Sequence, residues 1–119
     1  MPEFSKPSPG TTAAFAAAVD GLSGVEHRTM FGYPSVFLNG NMLACIFQDR
    51  IMVRLSERDR AEAMAAAAKP FEPMPGRAMK EYVELPPGIA GDPAALRRWI
   101  GRGRTYVEGL PKKEKKKSK

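Results

Sequence analysis

Asn39-Gly40 stands between two apolar runs, Val36-Phe37-Leu38 and Met42 to Phe47, and no other stretch of the chain narrows its folding options as much. Both turn residues tolerate the positive φ that a two-residue type I′ hairpin demands, so the pair predicts two antiparallel strands in fixed register. A polar Gln48-Asp49-Arg50 then leads into Ile51 to Leu55, which extends the hairpin to a three-stranded meander. The third strand alternates, with Ile51, Val53 and Leu55 on one face and Met52 and Arg54 on the other. The second strand is apolar at every position from Met42 to Phe47, the pattern of a strand covered on both faces. A sheet with helices on one side only would leave the second face of that strand needing a cover.

The flanking segments supply the rest of the fold. After Thr11, the residues Phe15, Val19 and Leu22 form the apolar stripe of an alanine-rich helix that ends at Ser23-Gly24. Val25 to Met30 is short enough to be a further strand, and Tyr33-Pro34 reads as a turn or strand break because proline cannot donate to a central ladder. Ser56-Glu57-Arg58-Asp59 matches a capping box, so a helix is expected from Glu57 to about Ala68 with Ala61, Met64, Ala65 and Ala68 as its buried stripe. Lys69-Pro70 stops it. Phe71 to Met74, Pro75-Gly76 and Ala78 to Leu85 read as a second hairpin, ended by Pro86-Pro87-Gly88. Asp92-Pro93 opens a last helix, lined by Leu96, Trp99, Ile100 and Val107. Gly101 and Gly103 each weaken that helix by roughly 1 kcal/mol relative to alanine. The order is helix, three or four strands, helix, two strands, helix. It predicts a two-layer α+β fold, an antiparallel sheet of about five strands with helices on one face.

Length and charge set outer bounds. A chain of 119 residues makes one domain, placed at residues 11–110, with a flexible segment 1–10 before it and a disordered lysine-rich tail 111–119 after it. The tail holds six lysines and one glutamate, so it carries +5 of the net +6 and leaves the body almost neutral. Lys112, Lys113, Lys115, Lys116, Lys117 and Lys119 could contact phosphates, weakly and without regard to base sequence. The single cysteine, Cys45, excludes an internal disulfide, and with the single His27 it cannot assemble a four-ligand zinc site, so neither metal nor cofactor is expected. No run approaches the ~20 apolar residues of a membrane span, and a cytoplasmic location is expected.

In their order and spacing, several short motifs resemble the TfoX N-terminal domain family, also called Sxy. They are Arg28-Thr29-Met30-Phe31-Gly32, the hairpin from Val36 to Phe47, Val53-Arg54-Leu55, Lys69-Pro70-Phe71, Met79 to Tyr82, and Leu85-Pro86. The resemblance covers about residues 11–108. It implies a sheet with helices on one side and, through the founding members, a link to transcriptional control of competence for DNA uptake. It supplies no catalytic residue. The family's Met-Phe-Gly-Gly element departs here, with Tyr33 in place of the second glycine and Pro34 after it. The founding members resemble two-domain proteins, whereas this sequence matches their first domain.

The candidate site residues are the motif loop Arg28, Met30, Phe31, Gly32 and Tyr33, together with an interaction surface at Met52, Arg54, Arg77 and Lys80. Cys45 inside an apolar strand reads as core rather than nucleophile, because a reactive thiolate needs an electropositive, accessible setting. Phe31-Gly32-Tyr33 does not keep the spacing of an RNA-recognition aromatic platform. The reading is therefore a non-enzymatic regulatory module with a protein partner, or a second copy of itself, on its sheet. Weak nucleic-acid binding through the tail, or an unrecognised ligand pocket, are the alternatives.

Overall fold

The computed structural model describes residues 9–20, 22, 24–30, 33–47, 50–71 and 81–111. Helix α1 (Pro9–Val19) leads into strands β1 (Val25–Met30), β2 (Tyr33–Leu38), β3 (Asn41–Phe47) and β4 (Arg50–Arg54). Helix α2 (Glu57–Ala65), strands β5 (Lys69–Pro70) and β6 (Tyr82–Glu84), and helices α3 (Pro87–Ala90) and α4 (Pro93–Glu108) complete the order. The strands form one antiparallel sheet in the order β1-β2-β3-β4-β6-β5. The α+β reading holds, with six strands rather than five. No helix among the described residues is long and apolar enough to cross a membrane.

The meander forms as its turn residues require. Asn39 and Gly40 take φ of 55° and 83°, and Leu38 pairs with Asn41. One feature was not legible: Val36 pairs with Ala44 but Phe37 with Met42, so Leu43 is an extra residue on β3. Such a bulge breaks strict alternation and re-aims a side chain. Leu43 and Val53 both face Gly103, where α4 crosses β3 and β4. A β-carbon on Gly103 would lie 2.7 Å from the Arg54 carbonyl and 2.7 Å from Val53 Cγ2, so this glycine sets how close helix and sheet can come. Tyr82 donates to the Met42 carbonyl beside the bulge at 2.8 Å, satisfying an acceptor where the ladder is interrupted.

Several expectations need correction. Tyr33-Pro34 is not a strand break but the start of β2, with Pro34 opposite Thr29. The β2–β3 pairing begins only at Ser35, so Pro34 adjoins β1 alone and no central ladder bond is lost. Helix α1 begins at Pro9, two residues before Thr11. Ser56 caps α2 by accepting from the Asp59 N–H, as the motif predicts, but of the expected stripe Ala61, Met64 and Ala65 are exposed, Ala68 is buried just beyond the helix end, and Ala63 is the buried position within the helix. An alanine-rich helix offers little apolar contrast from which to read its inner face. Its end is set by Ala67, at φ 85°, with the Ala68 N–H bonding back to the Ala63 carbonyl, rather than by Lys69-Pro70. Those two residues are β5, an edge strand paired with β6, and residues 72–80 between them, with the Pro75-Gly76 turn, lie outside the described residues. The short helix α3 was not expected at all.

The centre of the sheet is closed on both faces. From Met42 to Phe47 no side chain is more than 6 % exposed, so the second face of β3 is not left uncovered. Val36, Ala44, Ile46, Ile51, Val53 and Val83 are fully buried, and each such aliphatic larger than alanine contributes roughly 1.5–3 kcal/mol by leaving water. On the opposite side of β3, Tyr33 and Phe71 meet the Phe47 ring edge-on at 5.5 and 5.6 Å.

Candidate functional site

Strand β1 brings the family-motif residues to one edge of the sheet. It runs six residues, from Val25 to Met30, paired along its whole length with β2 and, among the described residues, with no strand on its outer side. Glu26, His27, Arg28 and Thr29 are all exposed. The Arg28 carbonyl accepts from Ser35 Oγ at 3.1 Å, which turns it inward to β2. In an antiparallel strand the direction alternates, so Val25, His27 and Thr29 turn their N–H and C=O groups outward. The other edge of the sheet differs: β5 is two residues long and one of them is Pro70. A short, proline-bearing edge offers almost nothing to pair with.

The outer face of this edge carries paired charge. Arg28 contacts Glu26 at 3.0 Å and lies over the Phe37 ring at 4.7 Å. Glu26 and Phe37 are register partners, so all three side chains share one face. Of the motif loop, Arg28 is exposed on β1, Met30 closes the β1–β2 register opposite Tyr33, and Tyr33 is buried. Phe31 and Gly32 lie outside the described residues.

Of the surface expected at Met52, Arg54, Arg77 and Lys80, two residues, Met52 and Arg54, lie among the described residues. Met52 is 0 % exposed, opposite Cys45 in the sheet interior, and forms no surface. Arg77, Lys80 and the tail lysines lie outside the described residues. Arg54 instead enters a polar cluster that sequence reasoning missed. Its guanidinium bonds Glu81 Oε1 at 2.6 Å, and Tyr106 of α4 donates to Glu81 Oε2 at 2.8 Å. Partial burial would push the Glu81 carboxyl up, but hydrogen bonds from Tyr106 and Arg54, with the charges of Arg54 and Arg60, hold it below its ordinary range. Burial pushes the Tyr106 hydroxyl up, and its bond to Glu81 adds to that. The cluster ties the ends of β4 and β6 to α4. Arg54 ends β4 and Glu81 immediately precedes β6, far apart in sequence, so only the β4–β6 register could have brought them together.

Cys45 is fully buried, and burial pushes its thiol up to about 12, the reverse of an activated nucleophile. His27 is on the edge strand two strands away, roughly 10 Å across the sheet, so the two do not meet. Among the described residues no group of three or more His, Cys, Asp or Glu could hold a metal ion. An open cleft of about 640 Å³ lies between α1, the start of β4 and α3, lined by Thr11, Ala14, Ile51, Leu85 and Pro87, with Arg50 and Glu84 3.4 Å apart on its wall.

No curated protein and no solved structure matches the chain. A family model does match, and it takes in all of the sheet and most of the helical layer. With residues 17–105 of its 119 aligned to the TfoX N-terminal domain, the chain belongs to that family.

Proposed function

We propose that this domain is a regulatory interaction module rather than an enzyme, and that it works by lending its β1 edge to another polypeptide. The observation that carries the reading is the contrast between the two sheet edges: β1 presents outward backbone groups along a six-residue, proline-free strand, whereas β5 is two residues long and contains proline. Strand addition at such an edge gains main-chain hydrogen bonds, and the flanking side chains set the choice of partner. The family association adds a process, transcriptional control of competence for DNA uptake, in which an adaptor of this kind would act on other proteins.

A photo-crosslinking residue placed at Thr29 tests the reading in cells, with one at the exposed Glu108 of α4 as the control site. Adducts with another polypeptide are expected from position 29 and not from position 108. They should vanish in His27→Pro, which removes an outward N–H while sparing the β1–β2 ladder. Adducts of equal yield from position 108, or adducts that survive His27→Pro in a variant that melts normally, would defeat it.

A further inference from the structure

The charge pattern of β1 selects a partner strand, and we infer that this strand is β1 of a second copy, antiparallel and related by a two-fold axis through His27. The inference rests on the reading of β1 as a docking edge and adds the identity of its occupant. Outward-bonding residues must face outward-bonding residues, so Val25, His27 and Thr29 can pair only among themselves. Three registers keep substantial overlap under that condition. With the axis at His27, that residue faces its own copy, Val25 faces Thr29, and Glu26 faces Arg28 twice over, in the closer, non-hydrogen-bonded positions of the ladder. Moving the axis to Glu26 sets the two glutamates against each other, and moving it to Arg28 does the same to the arginines. Like charges directly opposite are destabilising, so both slips are disfavoured and the register centred on His27 stands apart.

Charges on an edge strand usually discourage pairing. Here Glu26 and Arg28 lie on one face and already attract each other within the strand at 3.0 Å, so the pairing exchanges a local contact for two symmetric ones across the axis. Both side chains remain solvated, at 60 % and 41 % exposure, and exposed pairs of this kind are weak individually. The association is accordingly a concentration-dependent one, in the micromolar to millimolar range, rather than an obligate dimer.

Sedimentation equilibrium of the full chain over a wide concentration range tests this directly. The wild type is expected to pass from monomer to dimer. Glu26→Arg, which sets arginines opposite one another, should weaken the dimer roughly tenfold or more. The double variant Glu26→Arg/Arg28→Glu restores the complementarity and should recover wild-type affinity to within about threefold. Amide hydrogen exchange locates the contact: Val25, His27 and Thr29 should gain protection as concentration rises. A dimer indifferent to Glu26→Arg, a charge swap that fails to restore it while melting normally, or dimerisation without protection in β1 would each overturn the register. A wild type that stays monomeric, while position 29 still crosslinks a different protein in cells, would overturn self-pairing and leave the edge reading standing.

Discussion

Glycine serves opposite ends at two neighbouring positions of α4. At Gly101 a β-carbon would meet nothing within 4 Å, so Gly101→Ala should stabilise the protein by about 0.5–1 kcal/mol through helix propensity alone. At Gly103 the same methyl would press on the Arg54 carbonyl and Val53, and overpacking of that kind costs typically ~1–3 kcal/mol, more than the propensity gain. Urea denaturation of the two variants should therefore move midpoints in opposite directions. The sequence gives both glycines the same helical context, and only the crossing of α4 over the bulged β3 separates them. Tyr82 is a second residue whose role depends on that bulge. Tyr82→Phe leaves the Met42 carbonyl without its buried donor, and the expected cost is about 1–3 kcal/mol in the same assay. A loss within a few tenths would mean that the carbonyl finds another partner.

Elements announced by local chemistry were legible in advance, and those decided by tertiary context were not. The Asn39-Gly40 turn, the Ser56 cap and the Asp92-Pro93 start each rest on backbone geometry fixed within a few residues, and all three form where the sequence places them. The inner face of α2 was misread because alanine looks the same buried or exposed, and Pro34 was misread because its tolerance depends on where β2 meets β3. Of the candidate site, Arg28 was found on its motif, whereas the edge position of β1 and the Arg54–Glu81–Tyr106 cluster required the strand order. The end of α2 offers a test at this scale. Ala67 holds a left-handed conformation that costs an L-residue roughly 1–2 kcal/mol, so Ala67→Gly is expected to raise stability by about 1 kcal/mol despite the extra freedom glycine brings to the unfolded chain. Thermal melting of the variant measures it, and a lower melting temperature would contradict the backbone assignment.

Across the molecule as a whole, the net charge is concentrated in the last eight residues of the sequence. Deleting residues 112–119 removes +5 of the net +6 and leaves Pro111, whose carbonyl accepts from Asn41 Nδ2, in place. The truncated chain should melt as the intact one does and elute from a polyanion column at much lower salt, as expected when a handful of lysines supply the attraction. Inside the body, Glu81 links sheet to helix and confers a pH dependence. Its carboxyl is held below its unfolded value, so the stability it contributes is fully present above that value and is lost as pH falls through the lower, folded one. Glu81→Gln should flatten this acid limb in denaturation curves taken from neutral to acid pH, and an unchanged limb would assign it to other carboxylates. The unequal edges of the sheet also limit how far it can grow. Head-to-tail stacking of sheets into filaments needs two edges that accept one another, and the two-residue, proline-bearing β5 cannot complement β1. Pairing of β1 with β1 of a second copy would leave the short β5 as the outer edge at both ends, so further copies would find no long edge to extend.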